Sequence, residues 1–369
     1  MARRLRESVE DYLREYDAKD GVGADAYCSA DMCHPMADGK YLQVLSVLRQ
    51  SKLISAAQFN ERTQRVCTRL EAVALQSFES GWCWGLGFSW RNLPATEPFL
   101  ITSAIVTRGL LDCHNQGLAL ELCSNLLRQG RAGLETWMRE LALPADQSGI
   151  ALPAYSPGIR EAIYNAAAYA IGTLRLAEDA QGLMPSGAGA LPTVEWIRSR
   201  RVDGLGWPYS PNSPVVDLLH QCYILNALAD VFGVGSIESA SAEMVGQFAG
   251  PCCFADAMRL VMVDDEPSNV RDIPWLRPLG SHQLELLPKP ARLWSLGELL
   301  VVLSRLGSES VRSDAWVRLG RRVAESILLR ISAPDDEEAQ YPRHVMHAVH
   351  GLACYLAILR KKAQLRSEA

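Results

Sequence analysis

Helical stretches that are apolar on nearly every side alternate along this chain with stretches that keep one polar face, and that alternation limits its folds more than any other feature. The polar-backed stretches span residues 2–16, 57–78, 118–141 and 310–331, and the largely apolar ones span 98–114, 160–176, 214–232, 291–306 and 343–361. A helix that is apolar all round must touch protein on all sides, whereas an amphipathic one meets water along one face. An inner ring of helices wrapped by an outer ring satisfies both kinds at once. No run alternates with period two as a strand does. The expectation is therefore an all-α barrel of about five to six helical hairpins.

The first long apolar stretch follows an aromatic loop, GWCWGLGFSWRNLPATEPF, that carries Trp82, Trp84, Phe88 and Trp90. A looser copy, GLGWPYSPNSPVVDLLHQCYILNALADVFG, spans 204–233. Setting Asp112 over Asp230 lays IVTRGLLD on YILNALAD and Thr102 on His220. The repeated unit is an aromatic loop leading into an inward helix. Units that pack mainly on their neighbours let 369 residues share one core larger than the usual single domain. No linker or low-complexity tract divides the chain, so residues 1–369 read as one domain. Within it, 1–40 form an N-terminal helix and loop, 41–361 the ring of hairpins and 362–369 a tail. Ser156 and Pro157 suit the start of the helix after Tyr155. Residues 238–263 read as further helix, and the Pro-rich stretch 264–289 as irregular.

Hydrophobic residues make up 48% and charged residues 21%, as in a protein with a large buried interior. The net charge of -5 and the lack of clustered Lys and Arg exclude a nucleic-acid partner. The ten cysteines follow no framework, and Cys113, Cys123, Cys222 and Cys354 sit in apolar helical patterns, as reduced thiols do in a cytoplasm. The N-terminal segment lacks the apolar core of a signal peptide, and no window is long enough to span a bilayer. A cytoplasmic location without membrane insertion is the expectation.

GWCWGLGFSW, TSAIVTRGLLD, YSPGIREAIYNAAA and GWPYSPNSPVVDLLHQCYILNAL give the chain a resemblance to the α/α-toroid superfamily. Within it, the chain resembles uncharacterised proteins that accompany bacterial polysaccharide biosynthesis. The match covers roughly residues 78–235, and the repeat pattern carries the remainder. Relatives with such a ring include sugar epimerases, glycoside hydrolases, unsaturated-uronyl hydrolases, polysaccharide lyases, terpene cyclases and prenyltransferase subunits. The resemblance implies a ring and leaves the reaction open.

In such a ring the loops entering the inner helices converge on one end of a central funnel, with polar and aromatic groups at its mouth and Ala, Leu and Ile in its depth. Indole faces stack on the C–H faces of sugars, while amides, carboxylates and imidazoles bind hydroxyls. Trp82, Trp84, Trp90, Asn165, Trp207, Tyr209 and Trp294 are accordingly the candidate sugar-binding residues. For each tryptophan the competing reading is a plug that holds helix ends together. Asp217 and His220, three apart at a helix start, share a face, so the carboxylate can orient the imidazole for acid or base work. The competing reading there is a capping carboxylate beside a core histidine. His347 is the candidate opposite group.

His344, His347 and His350 lack the partner residues of a metal site, and Cys83 with Cys113 and His114 have the wrong spacing for zinc. VDDEPS at 263–268 lies in a Pro-rich loop, unlike the helical acidic clusters of isoprenoid enzymes. No phosphate-binding or dinucleotide motif is present. Neither a metal nor a cofactor is expected. The expected function is binding or processing of a sugar or glycan in polysaccharide biosynthesis, by a sugar epimerase or glycoside-acting enzyme with protein partners from that pathway. A non-catalytic scaffold of the same pathway and an isoprenoid cyclase or prenyltransferase-like toroid remain as alternatives.

Overall fold

A computed structural model describes the chain apart from residues 77, 79, 118–119, 181–189, 203–205, 212, 214, 250–256, 263–281, 287–290, 311 and 369. Its helices are α1 (Ala2–Ala18), α2 (Pro35–Gln50), α3 (Ala56–Ala72), α4 (Leu100–His114), α5 (Glu121–Glu140), α6 (Tyr164–Ala180), α7 (Ala190–Ser199), α8 (Leu218–Phe232), α9 (Glu238–Phe248), α10 (Leu293–Glu309), α11 (Ser313–Ile331) and α12 (Pro342–Glu368). The even-numbered helices touch in the cycle α2, α4, α6, α8, α10, α12, and α12 returns to α2 to close the ring. The odd-numbered helices pack outside them. The fold is a closed α/α toroid.

Burial explains the two layers. Helix α4 buries every residue from Leu100 to Thr107, whereas α1 buries only the stripe Leu5, Val9, Leu13 and Tyr16. Two inner pairs approach closely through glycine. A Cβ on Gly109 would stand 2.3 Å from the Gly39 carbonyl oxygen, and one on Gly351 would stand 2.4 Å from that of Gly297, so no side chain fits at either contact.

The structure departs from the sequence expectations in four places. Residues 35–40, read as loop, open the inner helix α2, with Pro35 at its first position. Asp38, Lys40 and Gln43 break the apolar pattern there, yet all three are buried. Helix α6 begins at Tyr164 and not after Pro157, because residues before it are bonded elsewhere. Ala154 bridges Ala162, the Ser156 hydroxyl accepts from the Ile159 amide, and the Tyr155 carbonyl accepts from the Leu100 amide.

Strands form the third departure. Hairpins pair β1 (Val22–Asp25) with β2 (Cys28–Cys33), and β3 (Ala142–Pro144) with β4 (Ala151–Pro153). A sheet of β5 (Val215–Asp217), β6 (Ala257–Met262) and β7 (His282–Leu286) runs in that order, antiparallel throughout. Strands of three to six residues, lying between helices, give a period-two signal too brief to stand out. Strand β6 stands where helix was expected, and β7 interrupts the Pro-rich stretch. The VDDEPS motif lies outside the described residues. Among the described residues, no helix is long and apolar enough to cross a bilayer.

The fourth departure is the centre of the ring. Its depth was expected to be aliphatic, but ionised and hydrogen-bonding groups meet there. The Lys40 ammonium lies 2.6 Å from Glu298, and both side chains are only 1% exposed. It also donates to Gln43 and lies over the rings of Tyr169 and Tyr223 at 5.6 and 5.5 Å. Asn226 donates to the other Glu298 oxygen. Burial opposes the charge on Lys40, but Glu298 more than offsets it and holds the ammonium above the usual lysine range. Farther along, Arg108 bonds both Asp112 and Asp230, the aspartates superposed in the sequence repeat, and Arg305 bonds Asp230 as well. Burial would raise the Asp230 carboxyl, yet the two arginines hold it low.

Removing one partner of a buried pair leaves an uncompensated charge, at a cost of about 3–5 kcal/mol, whereas replacing both with apolar groups is far milder. We therefore expect Lys40→Met to destabilise the protein by about 3–5 kcal/mol in urea unfolding, and Lys40→Met/Glu298→Leu to recover most of that loss. A double variant as unstable as the single one would show that the pair is not coupled.

Candidate functional site

The loops that enter the inner helices gather around a cavity of about 210 Å³. Its walls include Trp90, Arg91, Tyr155, Asn165, Tyr209, Asp217, His220, Tyr223, Arg292, Trp294 and Arg343. Each is placed by a local device. Trp90 and Leu93 bridge across a two-residue turn in which Arg91 and Asn92 have φ of 49° and 66°. Two successive left-handed residues are the mark of a type I′ hairpin, which tightens the loop and carries Trp90 to the wall. Trp90 packs edge-on against Phe99 and Tyr155.

Asp217 ends β5 and caps α8, accepting from the His220 amide at 3.2 Å. The same oxygen lies 3.1 Å from His220 Nδ1, and the other oxygen accepts from Arg292 at 2.6 Å. Burial would raise the Asp217 carboxyl, but His220 and Arg292 outweigh it and hold the group at about 2. With Nδ1 against the carboxylate, Nε2 is the His220 nitrogen left to meet a ligand. Tyr209 packs edge-on to that imidazole at 4.5 Å.

Below them, Tyr223 donates its hydroxyl to His347 Nε2 at 2.6 Å, while His347 Nδ1 lies 2.7 Å from the Arg343 carbonyl oxygen. A carbonyl can only accept, so Nδ1 carries the proton and Nε2 is the acceptor. Burial, followed by the nearby Lys40 charge, keeps His347 neutral far below the usual histidine range. Tyr223 is in turn pushed well above the tyrosine range, by burial first and the Glu298 charge second.

Six sequence candidates line the cavity: Trp90, Asn165, Tyr209, Asp217, His220 and Trp294. The other four do not. Trp84 is fully buried, with its indole donating to the Leu70 carbonyl at the end of α3 and its backbone bonded to Ser103 in α4. Trp207 repeats the arrangement, donating to Ile197 in α7 while its backbone is bonded to Gln221 in α8. Both are pins between an outer and an inner helix, the plug reading and not the sugar platform. Trp82 is half-buried against the core, its amide bonded to Gln129. His347 is fully buried and reaches the cavity only through Tyr223.

Sequence reading missed Tyr223, Arg91, Arg292 and Arg343. Tyr223 lies one turn beyond His220 on the same helix face, a spacing that could have revealed it. Arg292 caps the start of α10 and Arg343 lies in the first turn of α12. The partial positive charge of a helix N-terminus disfavours cations, so arginines at the starts of two apolar helices are a readable anomaly. Asn165 Oδ1, Trp294 Nε1 and Arg343 Nε are buried without a hydrogen-bond partner among the described residues, leaving acceptor and donor capacity toward a ligand.

No family model matches the chain, and no curated protein matches its sequence. Solved structures match its fold over nearly full length. Cellobiose 2-epimerase from Spirochaeta thermophila has a TM-score of 0.62 at 11% identity, with 99% of this chain and 98% of that one covered. A glycoside hydrolase family 76 mannosidase from Bacteroides thetaiotaomicron has a TM-score of 0.59 at 10% identity, covering 98% and 100%. A sugar epimerase from a ruminal bacterium has a TM-score of 0.57 at 10% identity, covering 92% and 91%. At these identities the likeness is one of fold.

The buried imidazoles set a pH dependence. Burial first, then nearby cations, keeps His344, His347 and His350 well below the usual histidine range. The cations facing them are Arg343 and Arg292 near His344, Lys40 and Arg343 near His347, and Lys40 and Arg108 near His350. In the unfolded chain these groups take protons near pH 6.5, so below that pH the unfolded state binds more protons and stability falls, by up to about 1.4 kcal/mol per pH unit for each histidine. Asp217 acts in the same direction in a lower window: its contribution is whole above about pH 4 and is lost as pH falls toward about 2. Thermal melts should drop from pH 7 to pH 5 and again below pH 4; a flat melting temperature across the first interval would show that the imidazoles take up protons in the folded state.

Proposed function

We propose that this protein is a carbohydrate-acting enzyme that moves a proton on and off a sugar carbon, as an epimerase or isomerase does. The observation that carries the reading is that two groups able to exchange protons, His220 and Tyr223, line one cavity on one face of α8. Each is backed by a positioning residue: Asp217 orients His220, and His347 accepts from Tyr223. Epimerisation beside a carbonyl needs a base to take the C–H proton, leaving an enolate, and a donor to return a proton to the other face. His220 Nε2 suits the first step. Tyr223, whose hydroxyl can give its proton to the enolate and regain one from the His220 imidazolium by way of solvent in the cavity, suits the second. Trp90 and Tyr209 offer ring faces against which a sugar can stack, and Trp294 offers its indole N–H.

Hydrolysis is less well supported. It ordinarily uses two carboxyl groups, one of them a protonated acid. Among the described lining residues, Asp217 is the single carboxyl, and at about 2 it cannot hold a proton near neutrality. An isoprenoid funnel would be apolar, which the Lys40–Glu298 axis argues against. The sugar-handling reading is compatible with a place in cytoplasmic bacterial polysaccharide biosynthesis, with partners from that pathway, and with one domain over residues 1–369.

Deuterium uptake at C2, followed by proton NMR in heavy water, tests this with glucose, mannose, N-acetylglucosamine, cellobiose and glucuronate as probes. We expect exchange with at least one sugar, and a loss of about 100-fold or more in His220→Gln and in Tyr223→Phe. Equal exchange in the native protein and His220→Gln would remove His220 from the mechanism. No exchange with any probe would favour the non-catalytic scaffold.

A further inference from the structure

The charges around the cavity carry information that proton transfer does not use. Three guanidinium groups, Arg91, Arg292 and Arg343, line it, and among the described lining residues only Asp217 is a carboxylate. That aspartate is shared between Arg292 and His220. Among the described residues, Arg343 has one ionised partner, Asp25, at 2.9 Å.

The geometry of Arg343 sharpens the imbalance. The residue is 5% exposed, and its Nε has no hydrogen-bond partner among the described residues. Its guanidinium lies 4.6 Å from the Trp294 ring, which ranks below a second ionic contact for a desolvated cation. It also sits in the first turn of α12, where the backbone field disfavours positive charge. Arg91, in the type I′ turn of the aromatic loop, also lines the cavity, its exposed guanidinium 4.5 Å from the Trp90 ring. A neutral sugar would leave the Arg343 Nε donor and the Arg91 guanidinium without an anionic partner among the described residues. A carboxylate or phosphate oxygen pair matches the planar fork of a guanidinium.

We propose that the cavity takes a sugar bearing an anionic group, a carboxylate or a phosphate, with Arg343 as the buried anchor and Arg91 as the gripping residue at the mouth. This rests on the carbohydrate reading and narrows it to a charged substrate class. The unpartnered Asn165 Oδ1 then accepts from a sugar hydroxyl, and Trp294 Nε1 donates to one.

Calorimetric titration of the full chain with glucuronate, glucose 6-phosphate, glucose and inorganic phosphate tests the proposal. At low salt, glucuronate or glucose 6-phosphate should bind at least about tenfold more tightly than glucose, and added salt should erode that preference. Whichever of the two binds better identifies the anionic group. Arg343→Gln should abolish the preference. Because that variant also loses the Asp25 pair, Arg91→Ala serves as the second probe: its exposed side chain can be removed without opening the core, and it should cut the preference several-fold. Glucose binding as tightly as the charged sugars would overturn the proposal and leave the carbohydrate reading standing. Inorganic phosphate binding as tightly as the sugars would overturn it in favour of a bare anion site. Failure of every probe to bind would overturn it together with the carbohydrate reading.

Discussion

A salt bridge between Lys40 and Glu298, sealed at the centre of six helices, is the contact on which the rest of the structure depends. An ammonium and a carboxylate taken out of water cost several kcal/mol each unless they meet at close range with their other bonding capacity used. Here Gln43, Asn226, Tyr169 and Tyr223 surround the pair, so residues of four inner helices must be in register before either charge is satisfied. Gln43 also reaches the Ile105 carbonyl in α4 and the Tyr169 hydroxyl in α6, and Tyr223 holds His347 in α12. All six inner helices are thereby tied to one point.

That point also makes the floor of the cavity. Tyr223 touches Lys40 on one side and presents itself to the cavity on the other, so its position is set by the ring before any ligand arrives. The second requirement is that the loops stay shut around the mouth. Trp84 and Trp207 do this in the same manner, each threading an indole N–H to the end of an outer helix while its backbone is gripped from the first turn of the next inner one. The aromatic loops are therefore divided by residue. Their inner indoles are structural, while Trp90 and Tyr209 are carried on the same loops to the cavity wall.

How much of this the sequence disclosed follows from what each signal reports. Apolar periodicity reports burial, and it revealed the two rings because inner and outer helices differ most in that property. It missed the start of α2, residues 35–40, since Asp38 and Lys40 are buried by pairing and not by hydrophobicity. The same limit hid the polar axis. Lone charges such as Glu298 in LWSLGELLVVL and Arg108 in IVTRGLLD were visible, and a buried charge demands a partner, but no local pattern says which residue that partner is. Asp217 and His220 were legible as a pair because three residues separate them. The Tyr223–His347 pair joins residues 124 positions apart and became visible only once the ring had closed. The short strands escaped for want of length.

The central claim is that one end of a ring locked by buried charges holds a preorganised site for a sugar. A crystal structure of the protein soaked with a sugar that it binds tests this most directly. The account predicts a single sugar beside His220 and Tyr223, stacked on Trp90, with the Lys40–Glu298 contact intact beneath it. A sugar bound elsewhere on the protein with this cavity empty, or a cavity filled by rearranged side chains of the ring, would contradict it.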